Sequence, residues 1–225
     1  MILQARMSSK RLPAKVILPL AGIPMSVLCA KRCVIQNVDF VLATSNDATD
    51  DVLVSLFKNN NIEIYRGNLD NVLERFINII DNKSLNNDDV VIRLTADNPV
   101  VDKYFLKEMM EIYESNKLDY LSAEPINLDQ VNWPKGLSAE FIKVGLLKDS
   151  YINDTSDMNI EHVTFSIRNN IKKIDSVYDY LQLKNDHTGL ILSVDNFKDY
   201  IRAERLFSNS SWNINYQTYL ENSLK

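Results

Sequence analysis

Strand and helix signals alternate through the first 120 residues of this 225-residue chain, and this alternation is what most limits its fold. Short apolar runs are each followed by a stretch with apolar residues at helical spacing. The predicted strands are residues 1–3, 40–44, 62–65 and 90–94, and the predicted helices are 25–35, about 50–57 with Asp47 or Thr49 as its cap, 70–80 and 103–115. Such pairing predicts an α/β fold of three layers, with a mostly parallel, doubly wound sheet between two layers of helices.

The pattern becomes looser after Tyr120. A turn is predicted at 132–136, strands at 139–144 and 190–194, and helices at 145–151, 159–168 and 196–207. No internal repeat or long linker separates these segments. With 45% hydrophobic residues, the chain is long enough to form one α/β domain.

Charge is distributed very unevenly along the chain. Residues 1–38 contain six Lys or Arg and no acid, whereas the rest contains 19 basic and 30 acidic residues. Four of the cations, Arg6, Lys10, Arg11 and Lys15, lie within ten positions. The net charge of −5 argues against a nucleic-acid scaffold and favours a compact polyanion such as a nucleoside triphosphate.

The four cations fall between the first predicted strand and the first predicted helix. This is the carboxyl end of a strand, where open α/β sheets bind ligands. Ser8 and Ser9 add hydroxyl and backbone donors to the same loop. The G-x-x-x-x-G-K-[ST] phosphate loop is absent, and a solvated charged turn is an equally good interpretation from the charges alone.

Overall properties of the sequence predict a cytoplasmic protein. No apolar run reaches the roughly 20 residues of a membrane span, and no signal peptide is visible. Cys29 and Cys33 lie four residues apart on a predicted helix, which suits two buried thiols better than a disulfide or a zinc site. We therefore expect a protein of the reducing cytosol.

Two aspartates each follow a predicted buried strand, namely Asp97 and Asp195. Mg²⁺ takes one or two protein carboxylates and completes its shell with phosphate and water, so this pair suits a magnesium site. The alternative is that each aspartate caps the following helix. Together with the cationic loop, the pair favours metal-assisted chemistry on a nucleotide.

Six short motifs in order resemble the cytidylyltransferases that activate sugar acids, and especially the branch named after spore coat polysaccharide synthesis protein F. They are residues 4–15, 65–67 with 70–76, 93–99, 134–140, 161–164 and 193–195. The resemblance implies one nucleotidyltransferase domain of glycosyltransferase-A-like fold over residues 1–225, with a dimerisation and acceptor subdomain at about 133–168. It implies transfer of CMP from CTP to a sugar acid, with release of pyrophosphate, in the synthesis of surface polysaccharide precursors.

The resemblance also implies roles for individual residues. Arg11, Lys15 and Asp97 would be catalytic, and Asp97 and Asp195 would bind Mg²⁺. The nucleotide-binding set would be Arg6, Ser8, Ser9, Lys10, Arg11, Lys15, Arg66, Arg75 and Thr95. Ion pairing within the protein is an equally good role for Arg66 and Arg75. Glu140 and His162 are candidates for acceptor binding, with a solvated carboxylate and a structural histidine as the alternatives.

The family usually has glycine where this chain has Ser8 and Ala14. We therefore expect the loop backbone to adopt conformations open to residues with a Cβ. The resemblance further implies a homodimer, with CTP and a small acceptor as partners and without nucleic acid or membrane. Two other functions stay open: a metal-dependent glycosyltransferase, disfavoured because Pro99 lies two residues after Asp97, and a non-catalytic nucleotide-binding protein.

Overall fold

The computed structural model describes residues 1–125, 131–170 and 175–223. Its strands are β1 (Ile2–Gln4), β2 (Pro19–Leu20), β3 (Ile23–Pro24), β4 (Val41–Ser45), β5 (Glu63–Gly67), β6 (Val90–Thr95), β7 (Tyr120–Ser122), β8 (Glu140–Lys143) and β9 (Asp175–Ser176). Its α-helices are α1 (Met25–Cys33), α2 (Asp51–Lys58), α3 (Val72–Asn82), α4 (Lys103–Ser115), α5 (Val144–Asn153), α6 (Asp157–His162), α7 (Phe165–Asn170), α8 (Phe197–Ser208) and α9 (Tyr216–Asn222).

In the described part of the chain, one seven-stranded sheet has the order β5-β4-β1-β6-β8-β7-β9. Every neighbouring pair is parallel except those that involve β8, which runs antiparallel to both β6 and β7. The predicted mostly parallel α/β sheet is therefore confirmed. The strand pair β2-β3 forms a separate small hairpin.

Two apolar clusters cover the two faces of the sheet and make the fold three-layered. One cluster includes buried residues of α1, α2, α4, α8 and α9, and the other those of α3, α5 and α7. Helix α3 illustrates how the sequence forms a helix that covers the sheet. Its buried side chains recur at helical spacing, and Asn71 caps its first turn by accepting a hydrogen bond from the Glu74 nitrogen.

Cys29 and Cys33 lie on the buried face of α1, and both are free thiols. The side-chain sulfurs approach the carbonyl oxygens of Ala96 and Val101. Burial raises the pKa of the Cys33 thiol to about 12. The interpretation of these residues as buried structural thiols is confirmed.

Two predicted elements of the second half are wrong. The run 190–194 is not a strand of the sheet, because only an isolated bridge joins Ile191 to Lys135. The predicted helix at 159–168 is broken into α6 and α7 by Val163, whose φ is +64°.

Candidate active site

The cationic segment leaves β1 and folds into a closed loop above the sheet edge. The backbone oxygen of Met7 accepts hydrogen bonds from the nitrogens of Ser9 at 2.9 Å and Ala14 at 3.0 Å. The nitrogen of Met7 donates to Oδ1 of Asp50 at 2.7 Å. Because Asp50 is fully buried and also accepts from Thr44 and Ser45, it fixes the start of the loop.

Ala14 ends the loop in the left-handed region, with φ of +60°. The expectation that the loop adopts conformations open to residues with a Cβ holds for Ala14 only at a cost, because Ala14 occupies the left-handed region that glycine favours. Ser8 is not among the residues with positive φ. The reversal at Ala14 directs the next residue, Lys15, inward.

Lys15 joins the two predicted metal-binding aspartates. Its ammonium nitrogen lies 2.7 Å from Oδ2 of Asp97, 3.3 Å from Oδ1 of Asp195 and 2.7 Å from the oxygen of Val194. Arg11 adds a 2.8 Å ion pair to Asp195. The structure thus brings the loop cations and both carboxylates to one point.

The aspartates reach this point by different routes. Asp97 lies two residues after the end of β6, as predicted, whereas the segment before Asp195 is not a strand, and the nitrogen of Val194 donates to the oxygen of Asp97 at 2.9 Å. Neither aspartate caps a helix. The caps of α4 and α8 are Asp102 and Asn196.

A cleft of about 310 Å³ opens over this group of charges. All predicted site residues line it except Arg66 and Glu140. Those that line it are Arg6, Ser8, Ser9, Lys10, Arg11, Lys15, Arg75, Thr95, Asp97, His162 and Asp195.

Arg66 and Glu140 have other partners. Arg66 donates to Asp51 and to the backbone oxygens of Ser45 and Asp47, so the ion-pair alternative describes it. Glu140 is buried rather than solvated, and it accepts from Arg93, Tyr120 and Thr164. The predicted direct contact of Glu140 with an acceptor is not what the geometry shows, because its oxygens face these neighbours.

Although burial raises the pKa of Glu140, the Arg93 guanidinium and the hydrogen bonds from Tyr120 and Thr164 outweigh it and hold the pKa below its ordinary value. Glu140 is therefore a buried anion at neutral pH. Its cross-strand partner on β6 is Arg93, which lines the cleft.

Arg75 is a buried cation that forms no ion pair with a described residue, although the charge of Asp50 acts on it. Only 2% of its surface is exposed, and among the described residues its Nε has no partner and its guanidinium forms one hydrogen bond, a 3.5 Å contact to the oxygen of Ala43. Burial, with help from the nearby Arg6, lowers its pKa to about 10. A buried cation at the wall of a cleft favours an anionic ligand there.

Two lining residues were missed as candidates, although both lie in quoted motifs. Arg93 interrupts an apolar strand, and a charged residue inside a buried strand is itself a signal of a site. Glu161 lines the cleft and pairs with Arg6 at 3.1 Å. Nothing in the local sequence indicates that Glu161 pairs with Arg6.

Among the described residues, no group of three or more His, Cys, Asp or Glu is arranged to hold a metal. Within the same residues, no helix has the length and apolarity needed to cross a membrane. In the described part of the chain, the cleft thus gathers the loop cations and two carboxylates at one edge of a mixed sheet, with Asp97 after β6 and Asp195 after a segment that is not a strand.

The chain belongs to the cytidylyltransferase family, whose model matches residues 1–217. It is 35% identical over 175 residues to the spore coat polysaccharide biosynthesis protein SpsF of Bacillus subtilis, which covers 75% of this chain and 69% of that protein. It is also 28% identical over 214 residues to an uncharacterized protein of Methanocaldococcus jannaschii, covering 88% of this chain and 79% of that one.

Two solved structures share the fold. A cytidylyltransferase from Leptospira borgpetersenii superposes with a TM-score of 0.85 at 22% identity, over 98% of this chain and 91% of that chain. A CMP:2-keto-3-deoxy-manno-octonic acid synthetase complexed with CTP superposes with a TM-score of 0.64 at 14% identity, over 92% and 97% of the two chains. Family and fold together identify the chain as a nucleotidyltransferase.

Proposed function

We propose that this protein transfers CMP from CTP to a hydroxyl of a sugar acid and releases pyrophosphate. The observation that carries the proposal is the convergence of Lys15 and Arg11 with Asp97 and Asp195 in one cleft. In this reaction the acceptor oxygen bonds to the α-phosphorus, the bond to the pyrophosphate oxygen breaks, and the acceptor hydroxyl loses its proton.

The loop cations have a clear task in that reaction. Negative charge moves onto the departing pyrophosphate, and fixed cations in a partly dry cleft stabilise that charge by several kcal/mol. Arg6, Arg11 and Lys15 line the cleft from one loop, with the hydroxyls of Ser8 and Ser9 beside them. Buried Arg75 also lines the cleft and adds positive charge to it.

Asp97 and Asp195 would hold Mg²⁺. The fit rests on Lys15, because one ammonium nitrogen lies 2.7 and 3.3 Å from oxygens of the two side chains, so both carboxylates can face a single cation. Two carboxylates also suit Mg²⁺, which keeps other positions for phosphate and water. Bound there, the ion would supply charge stabilisation to the phosphates.

The relatives support the choice of acceptor. SpsF is named for polysaccharide biosynthesis, and one structural neighbour is named as a synthetase that acts on 2-keto-3-deoxy-manno-octonic acid. We accordingly place this protein in the synthesis of precursors for surface polysaccharides.

Pyrophosphate release tests the proposal directly. The purified protein with Mg²⁺ is assayed with each of the four nucleoside triphosphates and a panel of sugar acids. Release that needs both CTP and a sugar acid supports the proposal. Release with a different triphosphate only, or no release with any pair, contradicts it.

Asp97→Asn is the informative variant in this assay. Loss of one cleft carboxylate is expected to lower kcat by at least about 100-fold. Asp88→Asn is the matched control, because Asp88 is 92% exposed and pairs with Lys143 outside the cleft. Equal activity of the two variants would remove Asp97 from the mechanism.

We also propose that the protein is a homodimer formed through residues 133–168. Ile152 and Met158 support this region, because they are 72% and 49% exposed and are apolar. Light scattering at micromolar concentration tests the proposal. A mass of 25.9 kDa would correspond to a monomer and contradict it.

A further inference from the structure

A second cavity, of about 360 Å³, opens beside the cleft. The two spaces share Arg93 and His162, so the second begins where the first ends. It is also lined by Thr164, which immediately precedes α7, and by Arg168 within α7. None of the nucleotide-loop cations lines it.

Arg93 is held rigidly at the junction of the two spaces. Its Nε donates to Oε1 of Gln4 at 3.1 Å, and its Nη1 donates to Glu140. Its Nη2 has no hydrogen-bond partner among the described residues. A fixed guanidinium with a free nitrogen is preorganised to bind an anion.

Arg168 supplies a second cation from α7. Within residues 1–125, 131–170 and 175–223, its guanidinium forms no ion pair or hydrogen bond. The charge of Arg168 acts on the carboxylates of Glu140 and Glu124, and both carboxylates already accept hydrogen bonds from other groups. Glu124 accepts from the nitrogen of Gly136 at 2.7 Å.

Val163 separates the two sides of this cavity. It has φ of +64° and ψ of −49°, and the nitrogen of Thr164 donates to the oxygen of His162 at 2.6 Å, which defines a strained γ-turn. The turn leaves His162 on the cavity wall while Thr164 donates inward to Glu140 at 2.8 Å. Strain of this kind at a β-branched residue is typical of functional sites.

We propose that Arg93 and Arg168 bind the carboxylate of the acceptor in this second cavity, and that Glu140 is a positioning residue that acts through Arg93. The inference rests on the proposed function and names where its acid substrate binds. A planar carboxylate matches the fork of a guanidinium, and a neutral sugar offers no equivalent group. With its carboxylate there, the rest of the acceptor extends past Arg93 into the cleft that holds the reacting phosphate.

Arg168→Gln tests the proposal with the least risk to folding, because the guanidinium forms no hydrogen bond or ion pair with any residue that the structure describes. Its KM for a productive sugar acid is expected to rise about 10- to 100-fold, as for a lost charge-assisted hydrogen bond, while its KM for CTP stays within about two-fold. Arg205→Gln, on α8 outside both cavities, is the matched control and should change neither constant. An unchanged acceptor KM, or an equal rise in both constants, overturns the proposal.

Thr164→Val tests the positioning role of Glu140. The valine keeps the shape of the threonine side chain but cannot donate the hydrogen bond to Glu140. A second variant, Arg93→Lys, loses the guanidinium fork but keeps the positive charge. Both variants should raise the acceptor KM by at least about three-fold; Thr164→Val should leave the CTP KM unchanged, and Arg93→Lys should change the CTP KM less than the acceptor KM. A fall in kcat without a change in acceptor KM contradicts positioning.

Direct binding separates this inference from the proposed function. Calorimetry with 2-keto-3-deoxy-manno-octonic acid, the other acids of the panel and their neutral amides needs no turnover. Binding of an acid but not its amide, lost in Arg168→Gln, supports the subsite even if no triphosphate yields pyrophosphate. If no acid of the panel binds, or if Arg168→Gln binds as wild type does, the subsite is wrong whatever the activity.

Discussion

The ammonium nitrogen of Lys15 lies 2.7 Å from Oδ2 of Asp97. The same nitrogen reaches Asp195 at 3.3 Å, so a tethered cation stands between the two carboxylates that we propose as magnesium ligands. A divalent cation bound there must either displace this ammonium group or be bound more weakly because the ammonium repels it.

Lys15→Met is therefore expected to tighten the binding of Mn²⁺ in the absence of nucleotide by about 10-fold, or about 1.4 kcal/mol. Electron paramagnetic resonance of free Mn²⁺ measures this without any turnover. Lys10→Met is the control, because Lys10 is on the same loop and forms no ion pair with a described residue. Weaker Mn²⁺ binding in the Lys15 variant would place the metal elsewhere.

The two glycine-replacing residues of the loop should respond to glycine with opposite signs. Ala14 has a positive φ, so Ala14→Gly removes about 1–2 kcal/mol of strain, against about 0.4–1 kcal/mol of added unfolded-state entropy. Ser8→Gly has only the entropic cost. Urea unfolding should show a gain of up to about 1 kcal/mol for the first variant and a loss of similar size for the second. A loss in both would mean that the turn at Ala14 is not strained.

Gly136 allows a close approach that positions Asp195. A Cβ at residue 136 would overlap the backbone nitrogen of Ser193 and lie 2.8 Å from its Cα. Gly136→Ala should therefore shift residues 193–195, destabilise the fold by about 2–4 kcal/mol and weaken CTP binding.

Gly189→Ala is the matched control for that change. Gly189 also has a positive φ, of +75°, but nothing lies within 4 Å of the added Cβ. It should lose only about 1 kcal/mol and bind CTP normally. Equal effects of the two substitutions on thermal melting and on calorimetric CTP binding would refute the proposed close contact.

Two buried arginines should behave in opposite ways. Among the described residues Arg75 forms one hydrogen bond, a 3.5 Å contact to the oxygen of Ala43, so Arg75→Met should leave the free energy of unfolding unchanged or raise it, while CTP binding weakens by about 10-fold or more. Arg32 donates to the oxygens of Trp212, Ile214 and Val100, so Arg32→Met should cost about 3–5 kcal/mol. An Arg75 variant that melts early yet binds CTP normally would show a structural role instead.

The thiols of α1 give a prediction for pH. An unfolded cysteine ionises near pH 9.0, whereas burial raises the pKa of Cys33 to about 12. The folded state holds this proton more tightly, so the stabilisation is complete below about pH 9 and is lost as pH rises toward 12.

Cys33→Ala should reduce the alkaline loss of stability in urea unfolding measured from pH 8 to pH 11. In wild type at pH 8, neither thiol should react with an aromatic disulfide reagent until the protein is unfolded. Rapid labelling of the native protein would show that α1 opens locally.

The cationic loop and Asp97 could be predicted because their signals are local. Each is a short run of residues next to a strand with a clear apolar pattern. Asp195 reaches the cleft by a route that the sequence does not predict, since in the described residues the apolar run before it forms only an isolated bridge, from Ile191 to Lys135. That run packs closely against Gly136, where a side chain would overlap it. This close packing is a tertiary effect that the spacing of apolar residues in the sequence does not predict.

The second cavity could not be predicted because its parts meet through register. Arg93 and Glu140 are cross-strand partners only because β8 runs antiparallel beside β6. The break at Val163 is equally invisible, because a β-branched residue has no preference for positive φ. These positions depend on packing that forms only in the complete sheet.

The contact between Lys15 and Asp195 joins residues that are 180 positions apart. No fragment that lacks either end of that span can assemble the cleft, so its ligands will recognise only chains whose folding is complete. By mass action, a nucleotide at 100 times its Kd would then add about 2.7 kcal/mol to the cost of opening the whole molecule. Resistance of the chain to proteolysis should consequently rise and fall with the supply of its own substrate.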